Sequence, residues 1–585
     1  MFDKILIANR GEIAVRIIRA CHMLGIQAVA IYAEDDIHSK HVKLADEAYL
    51  LPGTQLAETY LNIPAILEIV QRSGVQALHP GYGFLSENAQ LVEACVAQGI
   101  VFIGPAAEVM RQMGSKVEAR KRMQQAGVPI TPGSPPLEDL SEATHWASEI
   151  GYPVLLKASA GGGGRGMKKV LSASELPAAF ESAKREGKTY FGDSTVYLEK
   201  FVDKPRHIEV QILGDSQGQV VHLGERDCSI QRRNQKLVEE SPAPHLPVEV
   251  RAEVLSAAVK GAQALQYTGA GTFEFVVQNN RDVYFMEVNT RLQVEHPITE
   301  MVTGRDLVCE QIRIAAGLPL SFSQAEIQFQ GHAIECRINI EDAHQNFLPV
   351  PGYVSQLQEP SGPGIRIDGM LQAPYEIPGS YDSLIAKLIC WAPSRELALG
   401  RLKQALAEYT IEGVTTLIPF YQWLLSVPDF QSGHYDTAFL ADHFNPNAFP
   451  ASELVRAEAS VPQPARQLVQ VEVNGKRFEV GVYLPVGAQG QAPSATRQAP
   501  RKPGTSNTQR QGSNSNQIVS PMAGTVVQLK VAVGETLAAG QVACIIESMK
   551  MENDIASSRQ GVVKAIHVQT GDKVQNGALL LEFEG

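Results

Sequence analysis

The C-terminal part of this chain carries one pattern twice, and that duplication restricts its fold more than any other feature. Gly524, Gly534, Gly540 and Glu547 recur as Gly561, Gly571, Gly577 and Glu584, every offset being 37 residues. Each copy begins with Gly and alternating valines, passes Val-Gly-Glu or Thr-Gly-Asp and a further glycine, and ends in a strongly apolar strand. Two like units joined by one short link predict two half-sheets packed face to face. The link is Glu547-Ser548-Met549-Lys550-Met551-Glu552-Asn553, which puts Lys550 at an exposed turn tip. A lysine there is a good attachment point for a prosthetic group. Taken alone, it would equally be a basic residue on an apolar-edged turn.

The rest of the chain is too long for one core, since 585 residues exceed what a single domain holds. A formal charge of −12 argues against nucleic acid as a bulk partner. The seven cysteines are scattered, without a Cys-x-x-Cys, so neither a zinc site nor a disulfide framework is expected. The chain enters a strand at Lys4-Ile5-Leu6-Ile7-Ala8 with no signal peptide ahead of it, and no apolar run reaches membrane-spanning length. The expectation is a soluble cytoplasmic protein that binds neither membrane nor nucleic acid.

Strand Ile5–Ala8, the turn Asn9-Arg10-Gly11-Glu12, a helical pattern from Ile13 to Leu24 and a strand Ile26–Tyr32 predict a βαβ unit with a parallel sheet. The full Gly-x-Gly-x-x-Gly fingerprint is absent, so no dinucleotide is inferred. A further αβ unit over Ile63–Leu78 leads into the loop His79–Asn88, whose place after a parallel strand makes it a candidate ligand loop. After strand Pro153–Leu156 comes Lys157-Ala158-Ser159-Ala160-Gly161-Gly162-Gly163-Gly164-Arg165-Gly166-Met167. Four consecutive glycines let backbone amides approach a ligand closely, and a flanking lysine and arginine complement phosphate. A floppy surface loop is the alternative. It is not a Walker A loop, because Met167 stands where that motif needs lysine.

Thr272–Val277 and Val283–Asn289 alternate as two strands of a hairpin. With a two-residue turn at Asn280-Arg281, paired positions sum to 561, and Glu274 falls opposite Glu287. Facing carboxylates repel unless a cation bridges them. Asn289 projects to the same face, and such hard oxygen ligands suit Mg²⁺ carried by a nucleotide. A longer turn would make the pair a solvated rim. Arg291–Glu300 is read as continuing this strand, with Arg291 and Gln293 on one side and Glu295 as a candidate base; one turn of surface helix is the alternative. Met301–Ile314 reads as helix. Ile334–Asn339 is a strand with Arg337 on the Glu335/Asn339 face, Leu384–Ile389 is another, and Glu396–Ala407 and Ile418–Leu425 carry helical spacing. The body ends near Phe444–Phe449. A hairpin, Gln467–Val473 and Lys476–Tyr483 around Asn474-Gly475, follows. Residues 486–517 hold four basic residues and no acidic one among Gly, Gln, Pro, Ser, Thr and Asn, the composition of a disordered tether. Such a leash reaches roughly 30 Å on average and roughly 100 Å when extended.

The Met549-Lys550-Met551 motif and its duplicated setting resemble the biotinyl domain of biotin-dependent carboxylases; lipoyl domains share the fold but usually lack the methionine pair. Residues 1 to about 446 resemble the biotin carboxylase subunit of acyl-CoA carboxylases, an ATP-grasp enzyme. The matching strings are Ile7–Ala14, His79–Asn88, Lys157–Met167, Glu225–Lys236 and Glu287–Glu300, in family order. The resemblance implies an α/β and α+β multidomain chain: an N-terminal domain with a parallel sheet (1–115), an ATP-grasp domain (116–313) with a mobile lid at about 131–203, and a C-terminal domain (332–446). The hairpin (466–485), a flexible linker (486–517) and an all-β flattened-barrel biotinyl domain (518–585) complete it. By position, Lys116, Lys157, Gly163, Gly164, Glu199, Lys200, His207 and Gln231 would hold ATP, and Glu274, Glu287 and Asn289 would hold Mg²⁺ or Mn²⁺. Arg291, Gln293 and Val294 would bind bicarbonate, with Lys236 nearby, and Glu295 would deprotonate it for attack on the γ-phosphate. Arg337 would stabilise the enolate of biotin, Tyr82 would pack on biotin, and Lys550 would carry it. Two departures stand out. Asn234 replaces a histidine frequent in bacterial single-function subunits and is given no proton-transfer role, and Ser548 replaces the common alanine before Met-Lys-Met.

The implied activity is ATP- and bicarbonate-dependent carboxylation of the chain's own biotin, as the α chain of an acyl-CoA carboxylase. Its implied partners are a separate carboxyltransferase, a biotin protein ligase and a second copy of the chain. The short stretch between body and carrier leans toward acetyl-CoA rather than propionyl-CoA. The carboxylase subunit of a two-chain pyruvate or 2-oxo-acid carboxylase, and a non-catalytic biotin carrier, are the alternatives.

Overall fold

The structure is a computed structural model and describes residues 1–53, 55–159, 167–449, 465–473, 476–484, 516–521, 524–548, 551–574 and 577–584. The chain divides into two compact units, a body and a C-terminal unit.

The body opens with five parallel strands: β1 (Lys4–Ile7), β2 (Gln27–Tyr32), β3 (Glu47–Leu50), β4 (Ala77–His79) and β5 (Val101–Phe102), ordered β3-β2-β1-β4-β5. β1 reads as a continuous apolar run because helices cover both faces of a parallel sheet. Helix Ile63–Ser73 shows how local chemistry sets its ends. Asn62 caps the Ala65 amide, Pro64 sits in the first turn, and Gly74 at φ 66° stops the helix. β4 delivers the loop beginning at His79. Asn9 clamps that loop, donating from Nδ2 to the carbonyls of Pro80 and Tyr82 at 2.7 and 2.8 Å. A Cβ at Gly81 would meet Asn9 Nδ2 at 3.0 Å, so the clamp needs glycine there.

A small antiparallel sheet of β6 (Val154–Ala158), β7 (Met167–Val170) and β8 (Val196–Lys200), ordered β7-β6-β8, forms the segment expected as the lid, with helices Leu140–Ile150 and Leu176–Phe191 on it. The main platform is an eight-stranded sheet. Its first strands are β9 (Arg206–Gly214), β10 (Val220–Arg232), β11 (Gln235–Ser241), β12 (Gly269–Gln278), β13 (Asp282–Asn289) and β14 (His332–Asn339). Their order is β13-β12-β9-β10-β11-β14, continued by strands Leu384–Ala392 and Ile365–Gly369, every pair antiparallel. β11 pairs with β14, so one sheet runs across the boundary expected between the ATP-grasp and C-terminal domains.

Three sequence readings change here. The β12–β13 turn holds three residues, Asn279 to Arg281, because Gln278 pairs with Asp282. The two asparagines take φ 54° and 51°, a left-handed conformation that asparagine tolerates. A bulge between Glu274 and Phe275 then shifts the register by one, and Glu274 still faces Glu287. The strand ends at Asn289, so Arg291 and Gln293 lie on an irregular segment that ends at Glu295, ahead of helix His296–Thr303. The helical stretch from Met301 to Ile314 is two helices, His296–Thr303 and Leu307–Ala315, broken by Gly304 at φ 67° and restarted by Asp306, which caps the Cys309 amide.

In the C-terminal unit, strands Ala465–Val473 and Lys476–Leu484 form the expected hairpin, with Val473 paired to Lys476; its turn, Asn474-Gly475, lies outside the described residues. The carrier has two four-stranded sheets. One combines Gln517–Val519, Leu579–Phe583, Gly561–Ile566 and Thr536–Leu537, and the other Met551–Ala556, Val542–Ser548, Gly524–Leu529 and Lys573–Val574. Each sheet therefore takes two long strands from one copy and a short strand from the other. The repeat is exchanged between sheets rather than split cleanly into halves. Gln517, read as the end of the tether, is the first residue of a strand. Lys550 and Met549 lie outside the described residues, between strands Val542–Ser548 and Met551–Ala556. Most of the tether (486–515) is outside them too, as are Gly163, Gly164 and the rest of 160–166. No helix among the described residues is long and apolar enough to cross a membrane.

Candidate active site

One face of the eight-stranded sheet carries charge where a protein interior is normally apolar. In β9, His207, Glu209 and Gln211 alternate with Ile208, Val210 and Ile212, and all six are buried. The alternation puts the three polar groups on one side of the sheet. Glu274 and Thr272 extend that side on β12, since Glu274 pairs with Glu209 and Thr272 with Gln211.

Lys236 sits at the centre. Its ammonium donates to Glu274 Oε1 at 3.0 Å, to Glu295 Oε1 at 2.7 Å, and to Glu209. Burial would lower its pKa, but Glu209, Glu274 and Glu295 hold it well above the usual lysine range. Glu274 is also approached by His207 Nε2 at 2.9 Å and accepts from Asn289 Nδ2 and Gln293 Nε2, both at 2.7 Å. Burial pushes the Glu274 carboxyl up, and Lys236 and His207 override it to leave the group ionised. Burial pulls His207 down, and Glu274 more than offsets it for a net rise.

Glu274 and Glu287 oppose each other as the hairpin register requires, and Glu274 is too buried to be a solvated rim. Lys116 holds Glu287 at 2.9 Å, and Lys157 holds Glu199 at 2.5 Å with Arg120 at 3.1 Å. Two facing carboxylates and the Asn289 amide make a hard-oxygen donor set, compensated in this structure by protein cations. The set has the chemistry to hold a divalent cation such as Mg²⁺.

Glu295 lies at the N-cap position of helix His296–Thr303 and is almost wholly buried. The helix N-terminus favours its charge. Lys236 and Arg337 outweigh the burial that would raise it and hold its pKa well below the ordinary carboxylate range. Arg337 reaches Glu295 Oε2 at 2.8 Å and Glu239 Oε1 at 2.6 Å. Arg291 donates to Asn289 Oδ1 at 2.8 Å and to Glu87 Oε2 at 3.1 Å, so the 79–88 loop does reach the site.

Tyr82 donates to Glu12. Lys387, fully buried, lies 3.2 Å from Glu12 and donates to the Val294 carbonyl at 2.9 Å. These contacts tie Val294 and Tyr82 to one buried ammonium. Lys200 is on β8, but its ammonium binds the carbonyls of Gly151 and Tyr152 rather than the carboxylate cluster. Gln231 lines a cavity of about 280 Å³ with Arg232, Arg233, Phe347 and Thr437.

Sequence reasoning passed over Lys387, Glu209, Arg226, Glu12 and Glu87. Arg226 is completely buried and donates to Glu209, Gln211, Thr272, Gln293 and Thr299. The signal for Glu209 was the polar alternation His-x-Glu-x-Gln between branched apolar residues of β9. Lys387 had no such signal, being one lysine in an apolar strand.

Four family signatures match this chain. "Biotin carboxylase, N-terminal domain" covers residues 1–110 and "Biotin carboxylase C-terminal domain" 335–442. "Carbamoyl-phosphate synthase L chain, ATP binding domain" covers 115–323, and "Biotin-requiring enzyme" 516–583. The biotin carboxylase of a Nostoc species is 52% identical over 75% of this chain and 99% of its own length. The biotin-dependent acyl-coenzyme A carboxylase alpha3 subunit of Mycobacterium leprae is 41% identical over 99% of this chain and 98% of its own. Among solved structures, the biotin carboxylase domain dimer of Hydrogenobacter thermophilus 2-oxoglutarate carboxylase, in complex with MgADP, ADP and bicarbonate, superposes with a TM-score of 0.74. It is 50% identical and covers 77% of this chain and 100% of that one. Together with the charged face of the sheet, these matches place the chain in the biotin carboxylase family of ATP-dependent ligases, with a biotinyl domain in the same polypeptide.

Proposed function

We propose that this chain carboxylates biotin held on its own Lys550 and hands the carboxyl group to an acyl-CoA through a separate carboxyltransferase. The observation that carries this reading is the cluster of Lys236, Glu274, Glu287 and Arg337 on the sheet with Glu295 from the helix N-cap beside it. Lys116, Lys157, Glu199, Lys200, His207, Gln231 and the backbone at Gly163 and Gly164 hold ATP. Glu274, Glu287 and Asn289 would hold Mg²⁺, which would supply positive charge against the phosphate oxygens. Arg291, Gln293 and Val294 receive bicarbonate, and Glu295 takes its proton as the bicarbonate oxygen attacks the γ-phosphate, giving carboxyphosphate and ADP. A carboxylate gripped by Lys236 and Arg337 is always in the acceptor form but is a weak base. When those cations turn toward substrate oxyanions, its basicity rises toward what the transfer needs. Biotin, when attached, would supply a ureido nitrogen to accept the carboxyl group, the N–H proton leaving with the phosphate released from carboxyphosphate; Arg337 would be the guanidinium facing its ureido oxygen, and Tyr82 would pack against it.

The domain division expected from sequence is kept as part of this proposal, with residues 486–517 as the tether that would let the carrier travel. A homodimer through the body is proposed by likeness to the solved dimer. A biotin protein ligase is the partner that loads Lys550. The cytoplasm is the proposed setting, in keeping with seven buried free cysteines. The acyl-CoA acceptor draws on the full-length likeness to an acyl-coenzyme A carboxylase subunit, with acetyl-CoA preferred for the short stretch between body and carrier. A 2-oxo-acid acceptor is the second reading, because the solved relative comes from a 2-oxoglutarate carboxylase.

The test is phosphate release from ATP by the purified chain with free biotin and bicarbonate. Release that requires both establishes the half-reaction. No release under any condition leaves a biotin carrier without a catalytic body. Adding candidate acyl-CoAs and 2-oxo acids with a co-purified carboxyltransferase then separates the two acceptors.

A further inference from the structure

Two carboxyl groups beside Arg337 have no part in the chemistry above. Glu239 and Glu335 are cross-strand partners on β11 and β14, and both are completely buried. Arg337 donates from Nε to Glu239 Oε1 and from Nη2 to Glu295 Oε2, so one guanidinium joins Glu239 to the candidate base. Glu335 has nothing comparable. Neither of its oxygens has a hydrogen-bond partner, and Glu239 Oε2 has none.

A buried carboxylate with no donor is stable only as the neutral acid. Two adjacent carboxyls without a cation between them do not both ionise. The guanidinium sits on Glu239, so the proton belongs to Glu335. We propose that Glu335 is a positioning residue for biotin carboxylation: a neutral acid packed against Glu239, which leaves Glu239 as the single anion of the pair and the anchor of Arg337.

Burial drives Glu335 well above the ordinary carboxylate range. Burial also lifts Glu239, to about 7, against the pull of Arg337. The other groups around the pair are Lys236 on β11, Glu295 before helix His296–Thr303, and Lys387 on the strand beyond β14. The Cys228 and Cys336 thiols and the Tyr421 phenol are driven upward by burial and stay neutral. Glu239 therefore loses its charge just where an enzyme working near neutrality would register it. Once protonated, it no longer holds Arg337 by charge, and Glu295 alone is left to place the guanidinium.

This inference rests on reading the body as a biotin carboxylase. Its test uses the full chain: pH profiles of carboxylation of free biotin, with infrared difference spectra of the carboxylic acid region at neutral pH. The native chain is expected to lose activity on the acid side near pH 7, following Glu239. Glu239→Gln should erase that acid limb, costing about tenfold or more on the alkaline side, where native Glu239 is charged and anchors Arg337, and little well below pH 7, where native Glu239 is already neutral. Glu335→Gln, which swaps a neutral acid for a neutral amide, should leave the limb in place and remove one buried carboxylic acid band. A limb displaced downward by about one unit or more in Glu335→Gln would show that an ionised neighbour had been removed, and would overturn the proposal. An unchanged infrared spectrum in that variant would overturn it too. If the native chain shows no biotin-dependent turnover, the functional reading fails, and the infrared spectra still decide whether Glu335 carries a proton.

Discussion

The interiors of the carboxylase body and of the carrier are built on opposite principles. Arg226 and Lys387 are completely buried in the body, within a web of carboxylates and amides. The carrier interior is Val526, Leu537, Cys544, Ile546, Val563, Leu581 and Phe583, and its buried polar residues among those described are Ser520, Asn553 and Ser557. Burying charge is expensive and is tolerated only when every ion is paired. Fixed charges in a water-poor site are nevertheless what developing oxyanions need. A carrier performs no chemistry, so apolar area is enough to make it rigid. The body also buries ion pairs with no part in the proposed chemistry, such as Arg10 with Asp36 and Arg206 with Asp227, but the cluster around Lys236 gathers three carboxylates on one ammonium.

That contrast can be broken experimentally. Lys550→Ala is expected to abolish overall carboxylation and to spare ATP cleavage with free biotin. Loss of both activities would mean that the carrier is not a mere mount. Arg226→Met should destabilise the body by about 3–5 kcal/mol in denaturant titrations, because Glu209 and its neighbours keep their buried polar atoms and lose their donor. The carrier's own transition should not move, and a shift in it would show that the two interiors are coupled. Arg337→Ala should lower carboxylation of free biotin by roughly 10²–10³-fold in steady-state assays, with folding retained. Near-normal rates would remove that guanidinium from the chemistry.

The smallest effect is a pH response. Burial would raise Glu240, but hydrogen bonds from His332 and Arg395 hold it at about 2. A depressed carboxyl stabilises the fold above its unfolded pKa, and that contribution, on the order of 3 kcal/mol, is lost as pH falls from about 4 through about 2. Acid titration by circular dichroism should therefore unfold the body in that window. The carrier, with no buried carboxylate among its described residues, should outlast it.

Much of the site was legible because period-2 alternation is a local property. Glu274 opposite Glu287 was readable from hairpin arithmetic, although a longer turn and a bulge had to cancel for the pairing to hold. Glu335 and Arg337 were readable as one strand face, and the His207–Gln211 alternation could have added Glu209. Lys387 was not readable, because nothing in an apolar strand says that one lysine will meet Glu12 and a distant carbonyl. The strand reading of Arg291 and Gln293 failed for a related reason. Contacts rather than strand alternation place their side chains, Arg291 on Asn289 and the distant Glu87, and Gln293 on Glu274.

The sequence by itself determined the duplicated carrier, the Met-Lys-Met motif and the polar faces of individual strands, because each depends on residues close together in the chain. The tertiary structure alone decided that β9 lies between β12 and β10, and that β11 pairs with β14 to carry one sheet across a domain boundary. Those pairings set Lys236, Glu295, Arg337 and Lys387 around one point. Alternation tells each strand which side to bury, but only long-range packing tells it which strand will be its neighbour.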